Sequence, residues 1–518
     1  MAATQFAWVR ATNFAGYDEW LLLWLGARRI ADCPYASRPL GFLWSIPGAL
    51  LTPYGLEGYL LVHAAYFWLA GCWTLLLVGR LLPGDRALGF LAGAFAICWA
   101  PLDLARLTPV QMATHSGVTC CSYLAVLLFV VSWQRRSRLL LALACALALV
   151  AGRSYESPLP LLLLAPLLVL LRDRGAARRL LLWALPWLVV VLACGALFLR
   201  PLLQGGADLA YQASVLKSDL SVAGVLGRML QQYGYHLVPL VTVPRARLDV
   251  APVALAVCAY ALAFLACARG SETRPRREYA LLASVGLILA GLGYSVFALS
   301  PFFAAPHRMQ MLSAPGIAIA LAASLRGVSL LAPARWSTLL AGVLGAWVVA
   351  VGTARTVAMQ QVWDETSYFP AQRGTLAQLV TLAPELLPNT LVVLVDASGA
   401  WPSTFGFRHA VEHFYAGHAT GIVWGGFDFL YALRLTPRGL RCEPWPVIRK
   451  PWGVAPTEHR YDELLVVQRD ASGRLALVES WPAGILPALP ADAAYAPRAR
   501  IRPAGAPLPE RRVLERER

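Results

Sequence analysis

Apolar residues gather in ten runs along the chain, at roughly 58–80, 87–102, 117–133, 138–152, 158–171, 180–199, 251–268, 279–299, 311–325 and 336–354. A helix needs about 20 apolar residues to cross hydrocarbon perpendicularly. Several runs are shorter and are expected to extend through snorkelling ends or to sit beside thinner bilayer. The pattern therefore predicts about ten spans. Two further stretches, 20–27 and 39–51, are short, aromatic and amphipathic, and are expected to lie in the interface. Residues 200–250 read as a loop with helices over ADLAYQASVL and SVAGVLGRMLQQY. Beyond 355 polar residues rise. There, LVVLVD at 391–396 and ELLVVQRDASGRLALVES at 463–480 read as strands, the second turning at Asp470–Gly473, and a helix is expected through 370–383.

Together these elements predict a membrane all-α fold. A polytopic bundle occupies 1–354, with interface helices in its first external loop; a small external α/β domain occupies 355–485, and 486–518, rich in Pro, Ala and Arg, reads as disordered.

Charge adds sidedness. Arginines cluster in five of the connections: Arg80–Arg86, Arg135–Arg138, Arg172–Arg179, Arg269–Arg277 and Arg326–Arg335. These alternate strictly with the remaining connections, so the positive-inside rule makes them cytoplasmic. Segments 1–57, 103–116, 153–157, 200–250, 300–310 and everything from 355 then lie outside. The expected setting is a bacterial inner membrane with these segments on its external face. That topology calls either for a span upstream of residue 1 or for direct translocation of the N-terminus.

Composition agrees with the membrane reading: 58% of the 518 residues are hydrophobic. The net charge of +16 comes almost wholly from arginine, since Lys217 and Lys450 are the only lysines. Because those arginines fall in short loops, the charge marks topology and excludes a phosphate-tracking groove for nucleic acid. Most of the ten cysteines lie inside apolar runs and act there as small hydrophobes. Cys33 and Cys442 fall outside the runs, and a disulfide between them is an option in an oxidising compartment. The chain has no C-x-x-C pair to suggest zinc or redox chemistry.

Ionisable residues near span ends carry the functional reading, because charge at membrane depth costs several kcal/mol. Asp18 and Glu19 form an acidic pair. On a helix they point about 100° apart, so one can face a cavity while the other caps a helix or holds an arginine. Arg38, just before Pro39, reads as a phosphate contact or a headgroup anchor. Asp103 and His115 share the next external loop, and the plain alternative for Asp103 is a solvated loop acid. Glu156 stands where it can satisfy orphan helix amides. His307 and Arg308 suit a lipid phosphate, which an arginine fork grips in pairs; the bland alternative is an interface anchor. His63 reads as a packed core residue. Of His409, His413 and His418, only the first two have the i, i+4 spacing that a metal set with Glu412 would need.

The order of these features resembles a family. An acidic pair is followed by Arg38-Pro39-Leu40, a span carrying His63, R-L-L-x-x-x-R-A-L-G-F-L-A-G-A-F-A from Arg80 with a proline at Pro101, Y-E-x-x-L-P from Tyr155, and R-x-x-x-x-x-x-P-G from Arg308 to Gly316. Over residues 15–350 this resembles the polytopic membrane glycosyltransferases of the GT-C fold, the superfamily of protein mannosyltransferases and lipid A aminoarabinose transferases. The resemblance implies that Asp18, with Glu19 beside it, acts as base or holds the acceptor, that Asp103 is a second loop acid, and that Arg308 lies near the donor phosphate. Where many relatives have two aspartates, this chain has Asp-Glu.

The expected activity is transfer of a sugar, with inversion, from a polyprenyl-phosphate donor to a hydroxyl of a glycan, lipid or protein. Catalysis falls to Asp18, Glu19 and Asp103, and substrate binding to Arg38, His115, Glu156, His307 and Arg308. The reading calls for no cofactor and leaves a divalent metal open; its partners are the lipid-linked donor, the acceptor and membrane lipid, without nucleic acid. Two other classes fit the composition: a flippase for lipid-linked glycans, which mid-span charges would favour, and a non-catalytic assembly protein, in which the external charges would be scattered.

Overall fold

The computed structural model describes residues 2–31, 38–99, 104–203, 221–242, 249–299, 308–426, 431–444, 457–505 and 508–515. Every predicted apolar run lies on a helical segment. The bundle comprises α1 (Ala2–Phe6), α2 (Glu19–Ala27), α3 (Ile46–Leu51), α4 (Glu57–Leu81), α5 (Arg86–Cys98), α6 (Ala113–Arg135), α7 (Arg138–Ser154), α8 (Leu159–Leu164), α9 (Ala177–Leu203), α10 (Val222–Leu237), α11 (Val250–Ala268), α12 (Arg276–Ala298), α13 (Met309–Ser329) and α14 (Ala334–Thr366). Among the described residues, seven helices are long and apolar enough to cross a membrane: α4, α6, α9, α11, α12, α13 and α14. The other three runs make shorter helices. α5 has 13 residues, all buried after Arg86, so it is a core helix of the bundle. α7 has 17 residues. α8 passes into a tighter 3-10 stretch, Ala165–Leu171.

Close helix crossings rest on small residues, as expected where lipid supplies no hydrophobic drive for association. α12 and α13 meet through Gly286 and Ala290 on one side and Gly316 and Ala320 on the other. A Cβ on Gly286 would lie 2.6 Å from the Ala320 amide nitrogen, and one on Gly316 would lie 2.5 Å from that of Ala290.

The five arginine-rich connections converge at one end. Gln134 Nε2 donates to the Arg80 carbonyl at 3.2 Å, Trp133 Nε1 to Asp173 Oδ2 at 2.7 Å, and Arg276 Nη2 to the Leu330 carbonyl at 2.8 Å. At the centre, the unexposed Asp85 accepts from Arg326 Nε at 3.0 Å, Ser271 Oγ at 2.7 Å, the amide of Leu88 at 3.0 Å and the hydroxyl of Tyr279. A buried carboxylate with four donors is stable only because each lone pair is occupied. This knot ties the first, fourth and fifth of the arginine loops together.

The C-terminal region sits at the other end. α14 runs unbroken to Thr366, past the boundary expected at 354, because nothing in its sequence breaks the helix before Ser367. α15 (Phe369–Leu382) follows, then β1 (Glu385–Leu386), β2 (Thr390–Asp396), α16 (Thr404–Phe414), β3 (Ala419–Val423), β4 (Tyr431–Thr436), β5 (Gly439–Pro444), β6 (Thr457–Arg460), β7 (Leu464–Arg469), β8 (Leu475–Leu477) and β9 (Ile501–Arg502). β2 pairs in parallel with β3 and β7, and β7 turns back into β8 through the expected Asp470–Gly473 turn. β4, β5 and β6 form a separate antiparallel sheet.

Two expectations change here. α2 was expected to lie in the interface, but every residue from Glu19 to Gly26 is buried. Its stretch WLLLWL is apolar all round, and such a helix is stable only when enclosed. Trp20 packs on Phe369, Trp401 and Phe414, and its Nε1 donates to Gln372 at 2.7 Å. The tail was expected to be disordered, but Ile501-Arg502 pairs with Glu385-Leu386, and Leu486 and Val513 are buried. A few apolar residues spaced along a proline-rich strap suffice to hold it down. Of the helices expected in 200–250, SVAGVLGRMLQQY falls on α10, while ADLAYQASVL lies outside the described residues.

Candidate functional site

The chain reaches its acidic pair through a tight turn. Gly16 has φ +89°, and a Cβ there would meet the Tyr368 ring at 2.8 Å and Pro402 at 3.1 Å, so only glycine fits. The turn is held from the far end of the chain: the Phe14 amide donates to Ser367 Oγ at 3.0 Å and the Tyr368 amide to the Phe14 carbonyl at 3.0 Å. Asn13 and Gln360 exchange side-chain hydrogen bonds at 2.7 and 3.0 Å.

The two acids then divide their work. Asp18 is the N-cap of α2, where an aspartate normally accepts a helix amide, yet its side chain makes no cap bond. It turns instead toward Gln111, which donates to it, and Arg308, which attracts it. It remains partly exposed. Loss of solvent raises its pKa above the ordinary 3.8, and Arg308 and Gln111 pull the other way. Glu19 is wholly buried and accepts from the amides of Ala15 and Tyr17, the latter at 3.0 Å. Burial pushes its carboxyl up to about 7, opposed by those amides and reinforced by Asp18. Asp18 thus faces Gln111 and Arg308, and Glu19 holds the turn that presents it.

Arg308 stands at the N-cap of α13, where a cation opposes the helix dipole. Its local setting favours an anion, so its place is explained by what it faces.

Arg38 and Glu156, expected as separate contacts, hold each other. Arg38 Nε donates to Glu156 Oε2 at 2.6 Å and Nη2 donates to Oε1. The guanidinium lies 4.1 Å from the Tyr155 ring centre, and that ring packs against His115 at 4.7 Å. Gln111 and His115 flank the start of α6, so one helix end touches both the Asp18 group and the Arg38 group. Asp103 and His307, the other two expected site residues, lie outside the described residues, as does Cys33; Cys442 is buried on β5.

His63 is buried as read, with Nδ1 3.0 Å from Ser116 Oγ and Nε2 2.9 Å from the Arg106 carbonyl. The tail histidines do not converge: His409 Nδ1 is 2.9 Å from Glu412 Oε2, while His413 packs against Tyr54 and Phe414. Among the described residues no three His, Cys, Asp or Glu side chains are grouped as metal ligands. Gln111 and Tyr17 escaped sequence reasoning, since neither carries a charge that a membrane would penalise. Tyr17 is exposed, its hydroxyl pKa raised by partial desolvation and by nearby Tyr368 and Glu19.

No protein-family model, curated protein or solved structure matches this chain.

Proposed function

We propose that the protein is a membrane glycosyltransferase that moves a sugar from a polyprenyl-phosphate donor to an acceptor hydroxyl, with inversion, at the outer face of a bacterial inner membrane. The observation that carries this reading is that Asp18 lies within electrostatic reach of Arg308, residues from opposite ends of the bundle sequence. In such a reaction the acceptor oxygen attacks the anomeric carbon while the bond from that carbon to the phosphate oxygen breaks. Asp18 takes the hydroxyl proton as the new bond forms, and a carboxylate with a raised pKa is the better base. The departing lipid phosphate gains a negative charge. Arg308 and the first-turn amides of α13 are suited to hold it. Glu19 fixes the turn, and the Arg38–Glu156 pair braces the loops on the other side of α6.

The buried Asp85–Arg326 pair outside this site favours an enzyme over a flippase. Asp85 and Arg326 sit in the arginine-loop knot, paired with each other, rather than along a path through the bundle.

The decisive assay incubates membranes containing the protein with radiolabelled polyprenyl-phosphate sugars. Label leaving the lipid for a glycan, lipid or protein, and failing to leave it with Arg308→Ala, supports the reading. Label that stays on the lipid across a panel of sugars overturns it.

A further inference from the structure

α10 is built inside out. Val222, Leu226 and Leu230 are 76%, 53% and 69% exposed, whereas Gln232 and His236 are 2% and 0% exposed. The inward stripe, Arg228, Gln232 and His236, repeats every four residues; the outward apolar stripe does the same on the opposite face. A helix with its apolar face outward and its polar face inward lies against lipid and walls a polar interior. That interior is the end of the bundle next to Arg308. Arg228 Nε donates to the Ala298 carbonyl at 2.6 Å, Gln310 Nε2 donates to Gln232 Oε1 at 3.4 Å, and His236 Nδ1 meets the Tyr294 hydroxyl. Trp99 Nε1 fixes the end of the helix by donating to the His236 carbonyl at 3.0 Å.

Two polar atoms in this group are buried without a hydrogen-bond partner among the described residues: Nε2 of His236 and Oε1 of Gln310. Buried polar atoms are rarely left so. Both belong to fully buried side chains, and Gln310 is the second residue of α13, two positions after Arg308. In the tautomer in which Tyr294 donates to Nδ1, Nε2 carries the hydrogen and is a donor; Gln310 Oε1 is an acceptor. A hydroxyl, which both donates and accepts, is the complement of either atom. The group holds no carboxylate, and burial keeps His236 neutral, pushed down to about 3. An ammonium on a ligand would therefore find no counter-charge among these side chains.

We infer that Gln232, His236 and Gln310 form a subsite for a hydroxyl-bearing sugar ring of the lipid-linked donor, with α10 as the wall between that ring and the bilayer. This rests on the donor reading above and narrows it to sugars without an ammonium group.

The test is equilibrium binding to the full chain in nanodiscs of three probes: farnesyl phosphate, farnesyl phosphate carrying a neutral hexose, and farnesyl phosphate carrying an amino sugar. The expected result is binding of the neutral hexose form at least tenfold tighter than farnesyl phosphate, with no such gain for the amino sugar. His236→Phe and Gln310→Leu should each bring that ratio toward one; Gln232→Ala is the milder variant should either fail to give a wild-type melting transition. Equal binding of all three probes by wild type, or ratios untouched by the variants, overturns the subsite and leaves the phosphate reading standing. Binding of none of the three by wild type overturns the donor reading itself.

Discussion

Arg38 and Glu156 clasp each other through two nitrogen–oxygen contacts, joining the segment before α3 to the connection between α7 and α8. Both side chains are largely buried, so removing one partner strands the other's charge. Arg38→Ala is expected to destabilise the protein by about 3 kcal/mol. Adding Glu156→Gln to it should cost less than the sum of the single changes, because the second change removes the stranded charge. Thermal melting of the two single variants and the double variant in detergent checks this; strict additivity would mean that the clasp contributes nothing.

The crossing of α12 and α13 makes a second expectation. Gly316→Ala places a methyl 2.5 Å from a backbone nitrogen and must push the helices apart. A loss of about 1–3 kcal/mol is expected from such overpacking. Gly79→Ala, whose Cβ would meet nothing within 4 Å, is the control. It should be neutral or stabilising by up to about 1 kcal/mol, the helix-propensity gain. Equal effects at the two sites would contradict the close crossing.

Glu19 supplies a pH dependence whose sign follows from its environment. Its carboxyl is raised from 4.5 to about 7 in the folded protein. The folded state therefore binds this proton more tightly than the unfolded chain does. The resulting stabilisation is fully present below about pH 4.5 and is lost as the pH rises through 7, amounting to a change on the order of 3 kcal/mol. Glu19→Gln cannot titrate there, so its melting temperature should vary less between pH 5 and pH 7.5 than that of wild type. Parallel curves would show that Glu19 does not titrate in this window.

Much of the bundle was legible because bilayer length and arginine placement are strong, local signals. The ten runs all became helices, and the five arginine loops do share one end. The exceptions have physical causes. Hydropathy alone cannot separate the core helix α5 from a span, since both are apolar all round. The reading of α2 failed because its short apolar run was judged without the C-terminal domain that covers Trp20. α16 and the β4–β6 sheet were not foreseen because their patterns are short and mixed. In the candidate site, Asp18 and Arg308 were singled out because charges stand out near a membrane. Gln111 was not, because a neutral amide in a loop carries no such signal, and the division of labour between Asp18 and Glu19 depends on the Gly16 turn, which only tertiary contacts reveal.

The central claim is that Asp18 removes a proton from the acceptor as the sugar moves. The most direct measurement is the rate of sugar transfer from a polyprenyl-phosphate donor by Asp18→Asn, made alongside a melting curve showing that the variant is folded. The expected result is a loss of at least 100-fold, the lower range for a positioned general base, with the melting transition kept. Transfer at the wild-type rate by a folded Asp18→Asn protein would contradict the account.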